Sequence, residues 1–219
     1  VLLAERESQA RAAEFVELPH RIPASRFKDF VTDPAQAASD IRRPMPERPY
    51  RATRLGTLFH AWVEERSGLA GSREVIDVLR SELDQEYAEI DSEELSRLQA
   101  TFERSIWANR KPVEVEREIH LPFDGHIVIC KIDAVYEHDG RFQIVDWKTG
   151  KAPRSDEELS ERQLQLALYR LAFARWKGID PEGVDAVFYY VSDDRIIEPQ
   201  QIYDEDELLE LWRSATHTG

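Results

Sequence analysis

Two alternating runs, 127–135 and 142–148, flank the dipeptide Asp139-Gly140, and this arrangement constrains the fold more than any other stretch of the chain. Asp-Gly adopts the left-handed conformations that a two-residue hairpin turn requires, so the two runs are expected to pair as antiparallel strands. Successive residues of a strand face opposite ways. Phe142, Ile144, Asp146 and Lys148 therefore share one face, while Val145 and Trp147 take the other. The same counting puts Ile129, Lys131, Asp133 and Val135 on one side of the partner run, and Val128, Cys130, Ile132 and Ala134 on the opposite side. A turn at His138 to Arg141 then lays Asp133 beside Asp146, with the Lys148 amine close by.

Composition limits what such a hairpin can serve. At 219 residues, with 42% hydrophobic and 33% charged residues, the chain can bury a full core. No apolar run approaches the ~20 residues that span a bilayer, and the first residues lack the apolar stretch of a signal peptide, so a cytoplasmic protein without a membrane partner is expected. The lone cysteine, Cys130, excludes an internal disulfide or a site built from several thiolates; within a strand pattern it reads as a small buried hydrophobe. A net charge of −14 argues against gripping nucleic acid over the whole surface. The charge is uneven, however. Residues 18–54 hold eight basic side chains against four acidic ones, a local +4 that leaves −18 for the remainder. That stretch could guide a strand, or could simply be a solvated surface.

Along the chain, Glu5 to Glu17 reads as a charged connecting segment, and the absence of an initial Met suggests a piece of a longer polypeptide. Ser25 is placed to cap a short helix that Pro34 stops, and the prolines 44, 46 and 49 make an extended linker of Arg42 to Tyr50. The expected division is thus a connecting segment with a short helix over 1–50 and a domain over 51–219. A helix begins at Thr53 or Arg54 and ends near Ser67-Gly68, carrying His60 just off its apolar stripe. Another is expected from Ser72 to about Ile90, and a further one from the capping box Asp91-Ser92-Glu93-Glu94. Val113 to Leu121 alternates as a strand with Glu114, Glu116 and Glu118 on a charged face. After the hairpin, Ser155-Asp156-Glu157-Glu158 caps a long helix ending at Gly178. An apolar strand over 184–191, a short strand and a last helix from Asp204 to Trp212 complete the order. This order implies an α/β fold, a central mixed sheet flanked by helices with a helical N-terminal part.

Magnesium and manganese prefer oxygen ligands and accept imidazole, so Asp133, Asp146 and the Trp147 carbonyl would make the core of a metal site. Lys148 could orient the attacking water or stabilise charge developing on phosphorus. By itself Asp-x-Lys is a weak signal and reads first as an ordinary surface ion pair. The ordered set is more specific: Gly56-Thr57-Leu58-Phe59-His60, Glu118, Ile132-Asp133, Val145-Asp146-Trp147-Lys148-Thr149-Gly150 and Gln165-Leu166-Ala167-Leu168-Tyr169. From about Ser25 onward this resembles the RecB-type nuclease domain of the PD-(D/E)XK superfamily, in particular the C-terminal nuclease module of bacterial UvrD/RecB-like helicase-nucleases of the AdnA/AdnB kind.

The resemblance implies a restriction-endonuclease-like core and a Mg2+- or Mn2+-dependent deoxyribonuclease acting on single-stranded DNA in double-strand-break repair. His60, Asp133 and Asp146 would be metal ligands together with the Trp147 carbonyl, and Lys148 the catalytic lysine acting with Asp146 and Asp133. Gln165 and Tyr169, on one helical face, would line the site and contact DNA, with Arg51 and Arg54 as further DNA contacts and Glu118 as a further acidic candidate. A helicase motor in the same polypeptide and a second helicase-nuclease subunit would be its partners. Many relatives have Gly-Arg-Ile-Asp where this chain has Cys130-Lys131-Ile132-Asp133. The four-cysteine set of the iron–sulfur branches is missing, so no such cluster is expected, and the chain stands nearer RecB or AdnB. Two alternatives stay open: a catalytically inert module that binds DNA or a partner subunit, and a stand-alone Cas4-like exonuclease.

Overall fold

Asp139 and Gly140 both take positive φ, 51° and 76°, in the computed structural model, and the turn closes on the pair His138 and Arg141. The structure describes residues 18–42, 51–68 and 85–216. The segment expected over 5–17, the linker over 43–50 and the helix expected from Ser72, as far as residue 84, lie outside the described residues.

The described elements run in the order β1 (Arg21–Pro23), a 3-10 turn (Ala24–Arg26), α1 (Phe27–Thr32), α2 (Pro34–Arg42), α3 (Arg51–Ser67) and α4 (Gln85–Arg104). They continue with β2 (Glu114–Phe123), β3 (His126–His138), β4 (Arg141–Lys148), α5 (Asp156–Lys177), β5 (Val184–Tyr190), β6 (Arg195–Ile197) and α6 (Glu205–Thr216). One mixed sheet has the order β1-β3-β4-β5-β6, with β2 paired to β3. The pairs β1/β3 and β4/β5 are parallel, and the other pairs are antiparallel. Among the described residues no helix is long and apolar enough to cross a membrane.

Strand β3 organises the sheet. From His126 to Val135 it pairs with β2 along one edge, interrupted only at Asp133, whereas β1 takes residues 127–129 and β4 takes 134–138. Because a strand has only two edges, β1 and β4 must share the second one, leaving Cys130 to Asp133 in the gap between them. The expected alternation fails at this gap. Val128, Cys130, Ile132 and Val135 all join the core beneath α5, and Ala134 joins the core beneath α3 and α4. The physical reason is the splay of β4 away from β3: beyond the Ala134–Val145 pair, the Trp147 N–H donates to the Asp133 side chain (2.7 Å).

A core on each face holds the layers. On one side α1, α5 and α6 cover the sheet, and Trp212 stacks on Phe27 (5.3 Å, 21°) against Phe30 and Phe123. On the other, α3 and α4 bring Phe59 and Phe102 onto Trp147, Trp107 and Tyr189. Residues 166–174 of α5 are buried on every side, and the one charged residue among them, Arg170, donates to the carbonyls of Val184 (2.6 Å) and Pro181 (3.0 Å). Its ends follow the sequence: Ser155 Oγ accepts from Glu158 N (3.2 Å), and Gly178 closes it at φ 70°.

Three local expectations differ from the structure. Pro34 ends α1 and also opens α2, where a missing N–H costs nothing, and the Asp33 carboxylate accepts from Gln36 N (2.9 Å). Ser25 lies within the 3-10 turn, and α1 starts without a side-chain cap. Asp91 does not start a helix: α4 runs unbroken from Gln85, since 85–98 contains no Gly or Pro and the capping-box residues are compatible with a helix interior. The expected division after residue 50 assigns β1, α1 and α2 to a connecting segment, yet Ile22, Phe27, Phe30 and Ala37 belong to the same core as β3 and α5. The packed unit therefore begins well before residue 51.

Candidate active site

A second Asp-Gly turn, Asp124-Gly125 (φ 46° and 79°), joins β2 to β3. The two turns fix the register across three strands. Counting outward from them, Glu116 falls opposite Asp133 on one side, and Asp146 falls opposite Asp133 on the other. Neither pair completes the regular ladder. Glu116 takes φ 46°, a conformation that glutamate rarely adopts, and this turns its carboxylate towards α3.

There it meets His60. His60 Nδ1 lies 3.3 Å from Glu116 Oε1 and 3.4 Å from Asp133 Oδ1, and its Nε2 donates to the Trp147 carbonyl at 3.2 Å. One ligand atom each from His60, Glu116 and Asp133 lies within 4.8 Å of the others. Gly56 places the helix that carries His60. A Cβ there would stand 3.4 Å from Thr149 Oγ1, so α3 packs against the loop that follows Lys148 with room for a methyl group and little more.

Asp146 approaches the same region from the α5 side. It is 2% exposed; its Oδ2 lies 2.5 Å from Lys148 Nζ, and its Oδ1 accepts from Gln165 Nε2 at 3.1 Å. Gln165 Nε2 also donates to Tyr169 OH (2.7 Å), so one helical stripe supports the carboxylate. Asp133, Asp146, Lys148, His60, Gln165, Tyr169 and the Trp147 carbonyl are thus brought together. Asp146 stands outside the tight ligand cluster and Glu116 stands within it. Glu118, two residues along the strand, instead pairs with His120 (2.8 Å) and Lys131 (3.7 Å) and faces solvent. Arg54 is half-buried near the start of α3, and Arg51 is the helix's first residue.

The chain matches the PD-(D/E)XK nuclease superfamily over residues 22–218. It belongs to that superfamily. No curated protein matches the sequence. Among solved structures, a proposed exonuclease from Eubacterium rectale superposes with a TM-score of 0.60 at 14% identity, covering 91% of this chain and 78% of that one. This likeness shows the fold. The protein SSO0001 aligns over 100% of this chain and 87% of its own at 15% identity, with a TM-score of 0.46 that bears no weight here.

PD-(D/E)XK nucleases use divalent metals, and the donor set here fits one. Both nitrogens of His60 face acceptors, an arrangement that favours the doubly protonated ring when nothing else neutralises the cluster. Burial opposes that charge, but Asp133 and then Glu116 outweigh it and hold the imidazole well above its ordinary value. Surroundings that stabilise an imidazolium also favour a cation among these donors, two carboxylates and a carbonyl being the hard oxygens that magnesium or manganese prefers. Burial pushes the Asp146 carboxyl up to about 6, with Lys148 pulling against it and Asp133 adding to the rise. Burial also works against the Lys148 charge, yet Asp146 and Asp133 hold the ammonium above its usual value. At neutral pH the pair is therefore carboxylate and ammonium. Tyr169 is held well above its ordinary value by burial and by Asp146, and it stays a neutral hydroxyl.

The motif reading took Glu118 as the acidic candidate on this strand, whereas the structure brings Glu116 to His60 and leaves Glu118 with His120 and Lys131. The signal was present: reading Asp124-Gly125 as a turn like Asp139-Gly140 places Glu116, alone of the strand's three glutamates, opposite Asp133.

Proposed function

We propose that the protein is a Mg2+- or Mn2+-dependent deoxyribonuclease that hydrolyses single-stranded DNA. The observation that carries this reading is the meeting of the Asp146–Lys148 pair on β4 with Glu116, Asp133 and His60 at the splayed end of the sheet. His60, Glu116, Asp133 and the Trp147 carbonyl would hold the ion, with Asp146 completing the acidic wall. Such an ion acidifies a bound water and offsets charge on the phosphate. Lys148 supplies a fixed positive charge to the developing oxyanion, with its own desolvation offset by Asp146. Gln165 and Tyr169 keep the Asp146 carboxylate in one orientation and offer polar groups to the strand. The more specific reading, a nuclease module of a cytoplasmic UvrD/RecB-like helicase-nuclease with its motor in the same polypeptide and a second subunit beside it, rests on the ordered motif set and the single cysteine.

The test is hydrolysis of single-stranded DNA with Mn2+ or Mg2+. Wild-type protein should cleave, and Asp146→Ala and Lys148→Ala should each lower the rate by about a hundredfold or more. Hydrolysis unchanged in either variant would overturn the assignment. Metal binding and DNA binding without hydrolysis would leave an inert module.

A further inference from the structure

Beside the catalytic pair, a cavity of about 270 Å3 opens between α5, the 3-10 turn and α1. Its walls include Lys148 and Gln165, and away from the metal cluster they include Ser25, Lys28, Glu161 and Arg162. Three cations and one carboxylate thus line it, and each cation also has a carboxylate partner outside the lining: Lys28 with Asp29 (3.0 Å), Lys148 with Asp146 and Arg162 with Glu158.

The placement of Arg162 is specific. On α5 it stands three residues before Gln165, so the two share a face. On the sheet below, Asp146 pairs with Phe188 and Lys148 with Tyr190. Gln165 reaches the first level through Asp146, and Arg162 reaches the second by donating from Nη1 to Tyr190 OH (2.9 Å). The Lys148 amine is drawn back to the first level by Asp146 Oδ2 (2.5 Å), and the two levels are two strand residues apart, roughly 6.6 Å, comparable with the spacing of successive phosphates along an extended single strand. Glu158 holds the other end of the Arg162 guanidinium, which fixes the orientation of a side chain that is still 34% exposed. Lys28, on α1, lines the same cavity with its amine on Asp29, and Ser25 adds a hydroxyl.

We propose that Arg162, with Lys28 of the same cavity, binds the phosphate next to the scissile one and so registers the single strand against Lys148. The inference rests on the nuclease reading and names the substrate group this part of the site takes. Arg162 is a substrate-positioning residue here. The guanidinium is suited to the task because its fork offers several donors to phosphate oxygens, some of which remain after Tyr190 and Glu158 are served.

The experiment compares wild type, Arg162→Gln, Lys28→Gln and Lys177→Gln in two assays. The last is a charge-matched control fifteen residues along the same helix, about 22 Å away at 1.5 Å per residue. The first assay is equilibrium binding of fluorescein-labelled oligothymidylate with Ca2+ present, over a range of salt. Arg162→Gln and Lys28→Gln should each weaken binding about tenfold and lower the salt slope by about one, with Lys177→Gln unchanged. The second is hydrolysis with Mn2+, where KM for the oligonucleotide should rise with kcat kept. A dinucleotide with a single phosphodiester lacks the neighbouring phosphate, and on it the variants and wild type should perform alike.

Unchanged binding in both variants, or an equal loss on dinucleotide and oligonucleotide, overturns the proposal. If Arg162→Gln does not fold, Lys28→Gln decides, because Lys28 is a part-exposed surface residue. Should wild type bind DNA yet cleave nothing, the nuclease reading fails, while the binding comparison still decides whether these residues hold a phosphate.

Discussion

Glu116 and Glu118 are two residues apart, and in a regular strand they would share a face and an environment. The positive φ of Glu116 separates them, turning one carboxylate onto His60 and leaving the other with His120 and Lys131 at the surface. Mn2+ titrated calorimetrically should therefore bind Glu116→Gln about tenfold or more weakly than wild type, with Glu118→Gln unaffected; equal losses in the two variants would show that the strand conformation is not what selects the ligand. Cys130 offers a second residue-scale test. Its thiol is fully buried, its Sγ lies 3.8 Å from the Leu168 carbonyl oxygen, and burial pushes its pKa up to about 12. The reactive thiolate is scarce at neutral pH. A disulfide reagent should label the folded protein at the rate of global unfolding, and the denatured protein at once.

At the scale of elements, α5 and α6 show how the site is held from behind. Helix α5 carries Gln165 and Tyr169 to the site on one stripe, while Leu166, Leu168, Ala172 and Phe173 are fully buried in the core. Helix α6 acts from the far corner of the core, where its Trp212 packs among Phe27, Phe30, Phe123 and His126. Trp212→Ala should cost about 3–5 kcal/mol of stability in urea denaturation, the usual range for deleting a buried aromatic ring. Activity per folded molecule should persist at low temperature, because the catalytic pair lies elsewhere. The ends of α5 were legible because Ser155 and Gly178 act through local hydrogen bonds and local φ. The Asp91 signal misled for a related reason. A capping box satisfies free N–H groups only where a helix begins, and in α4 the preceding turn already supplies those bonds with carbonyls.

For the whole molecule, the segment from Arg21 to Ala37 is part of the fold. β1 extends the sheet beside β3, and Ile22, Phe27 and Phe30 are buried in the main core. Deleting residues 1–37 should expose Trp212 and Phe123, and the truncated protein should bind a hydrophobic dye and melt at a lower temperature; an unchanged melt would mean that this layer is dispensable. Its shared edge of β3 also matters for the site, since β1 and β4 leave between them the gap that Asp133 occupies. The sequence by itself determined what is local or periodic. The two Asp-Gly turns fixed which residues stand opposite one another, the alternation of β4 put Asp146 and Lys148 on one face, and Ser155 with Gly178 bounded the long helix. Only the tertiary structure decided the rest. Whether a carboxylate turns into the site, as Glu116 does, depends on a strained φ that surrounding contacts must enforce. The loss of alternation at Asp133 depends on where two other strands end along the same edge. The approach of Arg162 to Lys148 depends on how α5 lies across the sheet. Each joins residues remote in sequence through packing, which no short-range pattern encodes.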